Sequence, residues 1–111
     1  MSVLLELSIF PVDQGPSLSA FVAPVVDLIA ASGHRYQLTA MGTLVETADI
    51  DQAATLIAAA HRLLAELGCG RVYAIAKFDS RDGPLGRLNA KTDSVERHRT
   101  RADDWDRNDA A

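Results

Sequence analysis

An α+β sandwich in the order β-α-β-β-α-β is what this sequence predicts, on three observations. Two-residue alternation of apolar side chains marks a strand near each end of the chain, at residues 3–10 and 71–79. Helical spacing of apolar residues marks one helix after the first strand and another before the last. Between the helices, residues 36–47 (YQLTAMGTLVET) read as two strands with almost no loop, and strands so joined must be antiparallel neighbours. Strand, helix, hairpin, helix, strand is the split βαβ arrangement of ferredoxin-like folds. Right-handed crossovers then place both helices on one face of a four-stranded antiparallel sheet, with the first and third strands at its centre.

The first strand sets Val3, Leu5, Leu7 and Ile9 against Leu4, Glu6, Ser8 and Phe10, and Pro11 should end it. Ser17 or Ser19 can cap the first helix, whose apolar positions are Phe21, Val22, Val25, Val26 and Ile29, with Gly33 as its terminator. Pro24 is the misfit, because it removes a backbone donor near the helix start. In the hairpin the bend is expected at Met41-Gly42. Asp49 and Gln52 form a variant capping box before a helix at 50–67, with Ala53, Leu56, Ile57, Ala60, Leu63, Leu64 and Leu67 inward and Gly68 as its stop. The last strand sets Val72, Ala74, Ala76 and Phe78 against Tyr73, Ile75, Lys77 and Asp79. A loop, SRDGPLG, and a short polar helix at 89–99 follow. Residues 1–99 therefore make one domain, and 100–111 are expected to be a disordered tail.

With 111 residues and 11.9 kDa, the chain has room for a single core. A formal charge of −4 and a pI near 5.2 argue against a nucleic-acid binder, which needs a basic face for phosphates. No apolar run approaches the roughly 20 residues that span a bilayer. MSVLLELSIF lacks the basic start of a signal peptide, and Cys69 is the only cysteine, so a reducing, cytoplasmic setting is expected. Neither a phosphate loop nor a dinucleotide fingerprint is present, and no metal site is expected.

The face away from the helices would carry Leu4, Glu6, Ser8, Phe10, Tyr73, Ile75, Lys77 and Asp79. To these the hairpin adds either Leu44 and Glu46 or Thr43, Val45 and Thr47. So apolar a face is expected to be covered by another copy, as a dimer or a dimer of dimers. Glu6, in a central strand, needs compensation if buried: the plain reading is an ion pair with Lys77 or exposure at a wet seam, and the functional one is a cationic or polar ligand, which Glu46 and Asp79 could help to hold. Ser8, Thr39 and Thr43 can exchange hydrogen bonds with a heterocycle, and Met41, Tyr36 and Phe10 can pack on a ring, although all are ordinary strand residues too. Gly42 suits either a bend or a close approach to its backbone. His61 is expected at the edge of the core, and Arg81 and Arg87 in solvent or at another subunit.

Taken together, ELSIFP at 6–11, YQLTAMGTLVE at 36–46, RVYAIAKFDSR at 71–81 and KTDSVE at 91–96 resemble the small family of single-domain thiamine-binding proteins of bacteria and archaea. The resemblance covers about residues 3–97. It implies a ferredoxin-like domain that pairs through its sheets, often as a tetramer, and binds thiamine or its hydroxymethylpyrimidine portion with no catalysis and no further cofactor. By motif match it implies ligand contacts from Glu6, Ser8, Thr39, Met41, Gly42, Thr43 and Glu46, and also from Lys77 and Asp79. Ala40 stands where many relatives have proline. Two other readings compete: a regulatory or assembly domain whose open sheet face is only a subunit interface, and a small enzyme with Glu6 or His61 as its base.

Overall fold

The sheet is assembled on its first strand, β1 (Ser2–Pro11), whose odd-numbered side chains Val3, Leu5, Leu7 and Ile9 are buried while Leu4, Glu6, Ser8 and Phe10 stay half-exposed. The computed structural model describes residues 1–99, so the expectation for 100–111 lies outside the described residues. Three further strands, β2 (Arg35–Thr39), β3 (Gly42–Thr47) and β4 (Val72–Arg81), complete an antiparallel sheet in the order β2-β3-β1-β4. The first and third strands are central, as the crossovers require.

Between β1 and β2 runs α1 (Ser19–Ala31), and between β3 and β4 runs α2 (Ile50–Glu66). The core between them and the sheet joins Val3, Leu5, Leu7 and Val45 to Val25, Ile29, Leu56, Ala60 and Leu64. Pro24 lies inside α1, one turn beyond its start, and the helix continues through it to Ala31. Burial of Val25 and Ile29, worth about 1.5–3 kcal/mol each, offsets the roughly 3 kcal/mol that an interior proline costs. Neither Ser17 nor Ser19 caps this helix: Leu18 is the cap residue, and its carbonyl accepts from the amides of Phe21 and Val22.

The start of α2 follows the sequence more closely. The Asp49 carboxylate accepts from the Gln52 amide at 2.8 Å, and the Gln52 side chain accepts from the Ala48 amide at 2.9 Å. At its end the Cys69 and Gly68 amides donate to the carbonyls of Leu64 and Ala65, a Schellman closure that Gly68 permits with φ of 88°. Leu67, expected to be inward, is 46% exposed, and His61, expected at the core edge, lies in solvent.

The chain goes on into a third helix, α3 (Ala90–His98), close to the short polar helix read from the sequence. The helices leave β4 largely uncovered: from Tyr73 to Arg81 every residue is exposed, including Ala74, Ala76 and Phe78 on the side expected to be dry. Among the described residues β4 also has no strand on its outer edge.

Candidate functional site

The hairpin turns one residue earlier than expected. Thr39 pairs with Gly42, so Ala40 and Met41 form the bend and Gly42 is already the first residue of β3. Thr39 holds this turn through its hydroxyl, which donates to the Gly42 carbonyl at 2.8 Å and accepts from the Met41 amide at 3.2 Å. Gly42 is required for close approach: a Cβ there would lie 3.1 Å from the Leu7 carbonyl oxygen, inside ordinary contact distance.

Register decides what the hairpin offers to each face. Glu6 pairs with Leu44 and Leu4 with Glu46, so Leu44 and Glu46 share the open face with Glu6. Thr43, Val45 and Thr47 turn to the helices and are buried. Thr43, one of the candidates for the open face, is therefore on its opposite side.

A notch follows from the unequal lengths of the strands. Pairing of β1 with β3 ends at Leu7 and Thr43, whereas pairing of β1 with β4 continues to Pro11 and Val72. The Val12 amide donates to the Arg71 carbonyl at 3.0 Å, so by two-residue alternation the main chain of Ile9 points the other way, beyond the end of β3. Here lies a cavity of about 160 Å³, walled by β1, by the hairpin bend and by α1. It gathers Ser8, Phe10, Thr39, Met41, Gly42 and Thr43 from the hairpin and β1, with Val22, Val25, Val26 and Ile29 from the helix. The Thr43 hydroxyl takes no part in the hydrogen bonds of the turn. No lining side chain titrates near neutral pH.

The remaining candidates are elsewhere on the open face. Glu6 and Lys77, paired across β1 and β4, form an ion pair at 3.6 Å with side chains 40% and 74% exposed. Glu46 is 4% exposed, and its carboxylate is filled by protein donors. It accepts from the Ser2 hydroxyl, from the Gly86 amide at 3.0 Å and from the Arg87 amide at 3.0 Å. Burial alone would raise the pKa of Glu46, but these hydrogen bonds and the nearby Arg87 charge outweigh it and lower the pKa.

Arg87 completes this clasp from the loop after β4. Its guanidinium donates to the Ser2 hydroxyl at 3.0 Å, to the Ser2 carbonyl at 2.6 Å and to the Asp79 carbonyl at 2.8 Å, and it meets the Asp79 carboxylate at 3.3 Å. Glu46 and Asp79 are thus occupied in fastening the loop to the sheet. Arg87, read from the sequence as a solvated or intersubunit charge, is the centre of that fastening. Ser2 and Gly86 were not singled out by the sequence, in which the need for compensation is read for Glu6 and not for Glu46.

Cys69 is buried, and burial together with the Asp13 charge pushes its thiol pKa up, which disfavours the nucleophilic thiolate. Among the described residues no group of three or more His, Cys, Asp or Glu side chains could hold a metal ion. No helix among them is long and apolar enough to cross a membrane.

Comparison with known proteins places these features in a wider set. A family model described as "Thiamine-binding protein" matches residues 5–96. A UPF0045 protein of Methanothermobacter thermautotrophicus is 34% identical over 94 residues, which cover 84% of this chain and 95% of that protein. Among solved structures, a hypothetical protein of Methanocaldococcus jannascii superposes with a TM-score of 0.74 at 26% identity, over 86% of this chain and 96% of that one. A Thermotoga maritima protein assigned provisionally to thiamine biosynthesis or salvage shares the fold, with a TM-score of 0.73 at 17% identity over 86% of this chain and 99% of that one.

Proposed function

This chain belongs to the thiamine-binding protein family, and from that premise we propose that it binds thiamine, or the hydroxymethylpyrimidine portion of it, without catalysing a reaction. The observation that carries this reading is the notch between β1 and the hairpin. Its 160 Å³ is below the roughly 300–1,000 Å³ of whole small-molecule sites and suits one substituted six-membered ring. An aminopyrimidine needs hydrogen-bond donors and acceptors in its plane and apolar contacts on its faces. The hydroxyls of Ser8 and Thr43 and the main chain of Ile9 supply the first, and Phe10, Met41 and Val26 supply the second. General acid–base chemistry needs a titratable group in reach of the ligand, and the cavity wall offers none, which favours a carrier or sensor over an enzyme.

Calorimetric titration with thiamine and with hydroxymethylpyrimidine tests the reading. Saturable binding that Thr43→Val weakens is the expected result. Neither heat nor a thermal shift at millimolar ligand would overturn it.

A cytoplasmic homo-oligomer is the form in which the protein is proposed to act. The support is β4, ten residues long and, among the described residues, exposed on both sides and open along one edge, a standing template for another chain. Tyr73, Ile75 and Phe78 are 51%, 47% and 45% exposed there, and the Phe10 and Tyr73 rings meet at 5.7 Å to extend the apolar strip. Sedimentation of the wild type as a dimer or tetramer, and of Ile75→Lys as a smaller species, is expected. The competing reading, an assembly domain without a ligand, draws on the Glu6–Lys77 pair, which satisfies Glu6 within the chain. It would be preferred if oligomers form and no pyrimidine binds.

A further inference from the structure

At the end of the sheet away from the notch, α3 overhangs the open face without packing on it. Leu4 pairs with Asp79 and Ser2 with Arg81 at this end, so by two-residue alternation Leu4, Asp79 and Arg81 share the open face. Across from them, Lys91, Ser94 and Val95 make one side of the helix, at the spacing of neighbouring turns. No residue of α3 is buried, and Val95 is 52% exposed. Helix and sheet therefore enclose a cleft of about 480 Å³ in place of a core. That volume lies within the roughly 300–1,000 Å³ of small-molecule sites.

The cleft is basic, although the chain as a whole carries a formal charge of −4. Arg81, Arg87 and Lys91 line it against one carboxylate, Asp79, which meets Arg87 at 3.3 Å. The ion pairs among the described residues are Lys77–Glu6, Arg87–Asp79 and Arg99–Glu96, so Arg81 and Lys91 have no anionic partner there. Like charges gathered on one concave wall repel each other, and an anion placed between them removes that cost. The clasp holds them together: Arg87 is bonded to Ser2 and Asp79, and its carbonyl accepts the Ala90 amide at 3.2 Å, which fixes where α3 begins. Asn89 puts no side-chain cap on that helix start, and uncapped first-turn amides favour an anion as well.

An arginine fork and a lysine point charge are the two ways in which side chains hold a phosphate, and Arg81 and Lys91 offer one of each. Ser94 adds a hydroxyl donor, and Leu4 and Val95 add an apolar wall. We infer that this cleft is a second ligand site, which takes a small phosphate monoester with its dianionic group between Arg81 and Lys91 and its apolar body against Leu4 and Val95. The site is separate from the notch and does not depend on the pyrimidine reading.

The test is isothermal titration of the full chain with phenyl phosphate, inorganic phosphate and benzoate, on the wild type and on Arg81→Gln, Lys91→Gln and Lys91→Glu. Arg62→Gln, an exposed cation of α2 outside the cleft, is the control. Arg81 and Lys91 are exposed too, so every variant is expected to keep the wild-type far-UV spectrum. The wild type should bind phenyl phosphate saturably, more tightly than inorganic phosphate, which has no apolar body, and than benzoate, which has a single charge. Arg81→Gln and Lys91→Gln should each weaken it about two- to five-fold, the range for a partly solvated ion pair, and Lys91→Glu about ten-fold. Arg62→Gln should leave it unchanged. Equal affinity in the wild type and the cleft variants, or an equal loss in Arg62→Gln, would overturn the site. Inorganic phosphate bound as tightly as phenyl phosphate would overturn the assignment to a monoester. Competition between phenyl phosphate and hydroxymethylpyrimidine would overturn the separation from the notch. Failure of the wild type to bind phenyl phosphate at millimolar concentration would overturn the whole inference and leave the notch reading standing.

Discussion

Glu46 holds Arg87 by its backbone: the carboxylate accepts the Arg87 amide at 3.0 Å, while the guanidinium reaches past it to Ser2 and Asp79. Through this pair the loop after β4 is fastened to β3 and to the first residues of β1. Removing the charge from Glu46 would leave donors facing a weaker acceptor in a buried place. Glu46→Gln is therefore expected to destabilise the fold by about 1–3 kcal/mol, measured by chemical denaturation. Hydroxymethylpyrimidine affinity should stay within about two-fold of wild type, because the clasp and the notch lie at different parts of the sheet.

The same clasp predicts a pH dependence with a definite sign. Folding lowers the pKa of Glu46, so its contribution to stability is complete above the ordinary carboxylate range and is lost as pH falls through the depressed folded value. Thermal unfolding followed from pH 7 downward should show Tm falling across acid pH. The fall should be shallower in Glu46→Gln, which has no proton to gain there. Parallel curves for the two proteins would refute the assignment.

Gly42→Ala should cost about 1 kcal/mol or more, because the new methyl meets the Leu7 carbonyl, which cannot move without disturbing the ladder. Calorimetric unfolding would show the lower Tm, and titration would show weaker pyrimidine binding, since the substitution forces the mouth of the notch apart.

Thr43→Val keeps the shape of a buried side chain and removes only its hydroxyl. Ligand affinity should drop about three- to ten-fold, as for loss of one neutral hydrogen bond, with stability changed by less than about 1 kcal/mol. A loss of stability with no loss of affinity would make Thr43 a packing residue only.

The Glu6–Lys77 pair is solvated on both sides, and exposed pairs are worth about 0–1 kcal/mol. A double-mutant cycle with Glu6→Gln and Lys77→Met should return a coupling in that range that fades in high salt. Glu6→Gln should leave pyrimidine affinity nearly unchanged.

The fold was legible because its signals are periodic and local: the dry side of β1, the cap at Asp49 and the stop at Gly68 each follow from a few neighbouring residues. Hairpin residues of the candidate site were legible for the same reason, since Thr39, Met41, Gly42 and Thr43 are consecutive or nearly so. The face that Thr43 occupies was not, because a strand and its mirror register carry the same alternation until a neighbour fixes it. Nor was the bend, which falls on Ala40 and Met41, where the Thr39 hydroxyl closes the turn and Gly42 lies too close to the Leu7 carbonyl to carry a side chain. Arg87 escaped for a different reason: its partners lie 85 and 8 residues away, and a loop arginine looks the same in sequence whether it is solvated or clasped.

That β3 stops at Gly42 while β1 runs on to Pro11 makes the length of the hairpin a ruler. A hairpin longer by one residue on each arm would let the protein complete its own ladder beside Ile9 and leave no room for a guest. A shorter one would expose Val25 and Ile29 of the core. A ligand bound in the notch, as proposed, would take the place of a missing stretch of strand, and relatives with longer or shorter bends at this corner should differ in the size of molecule they accept.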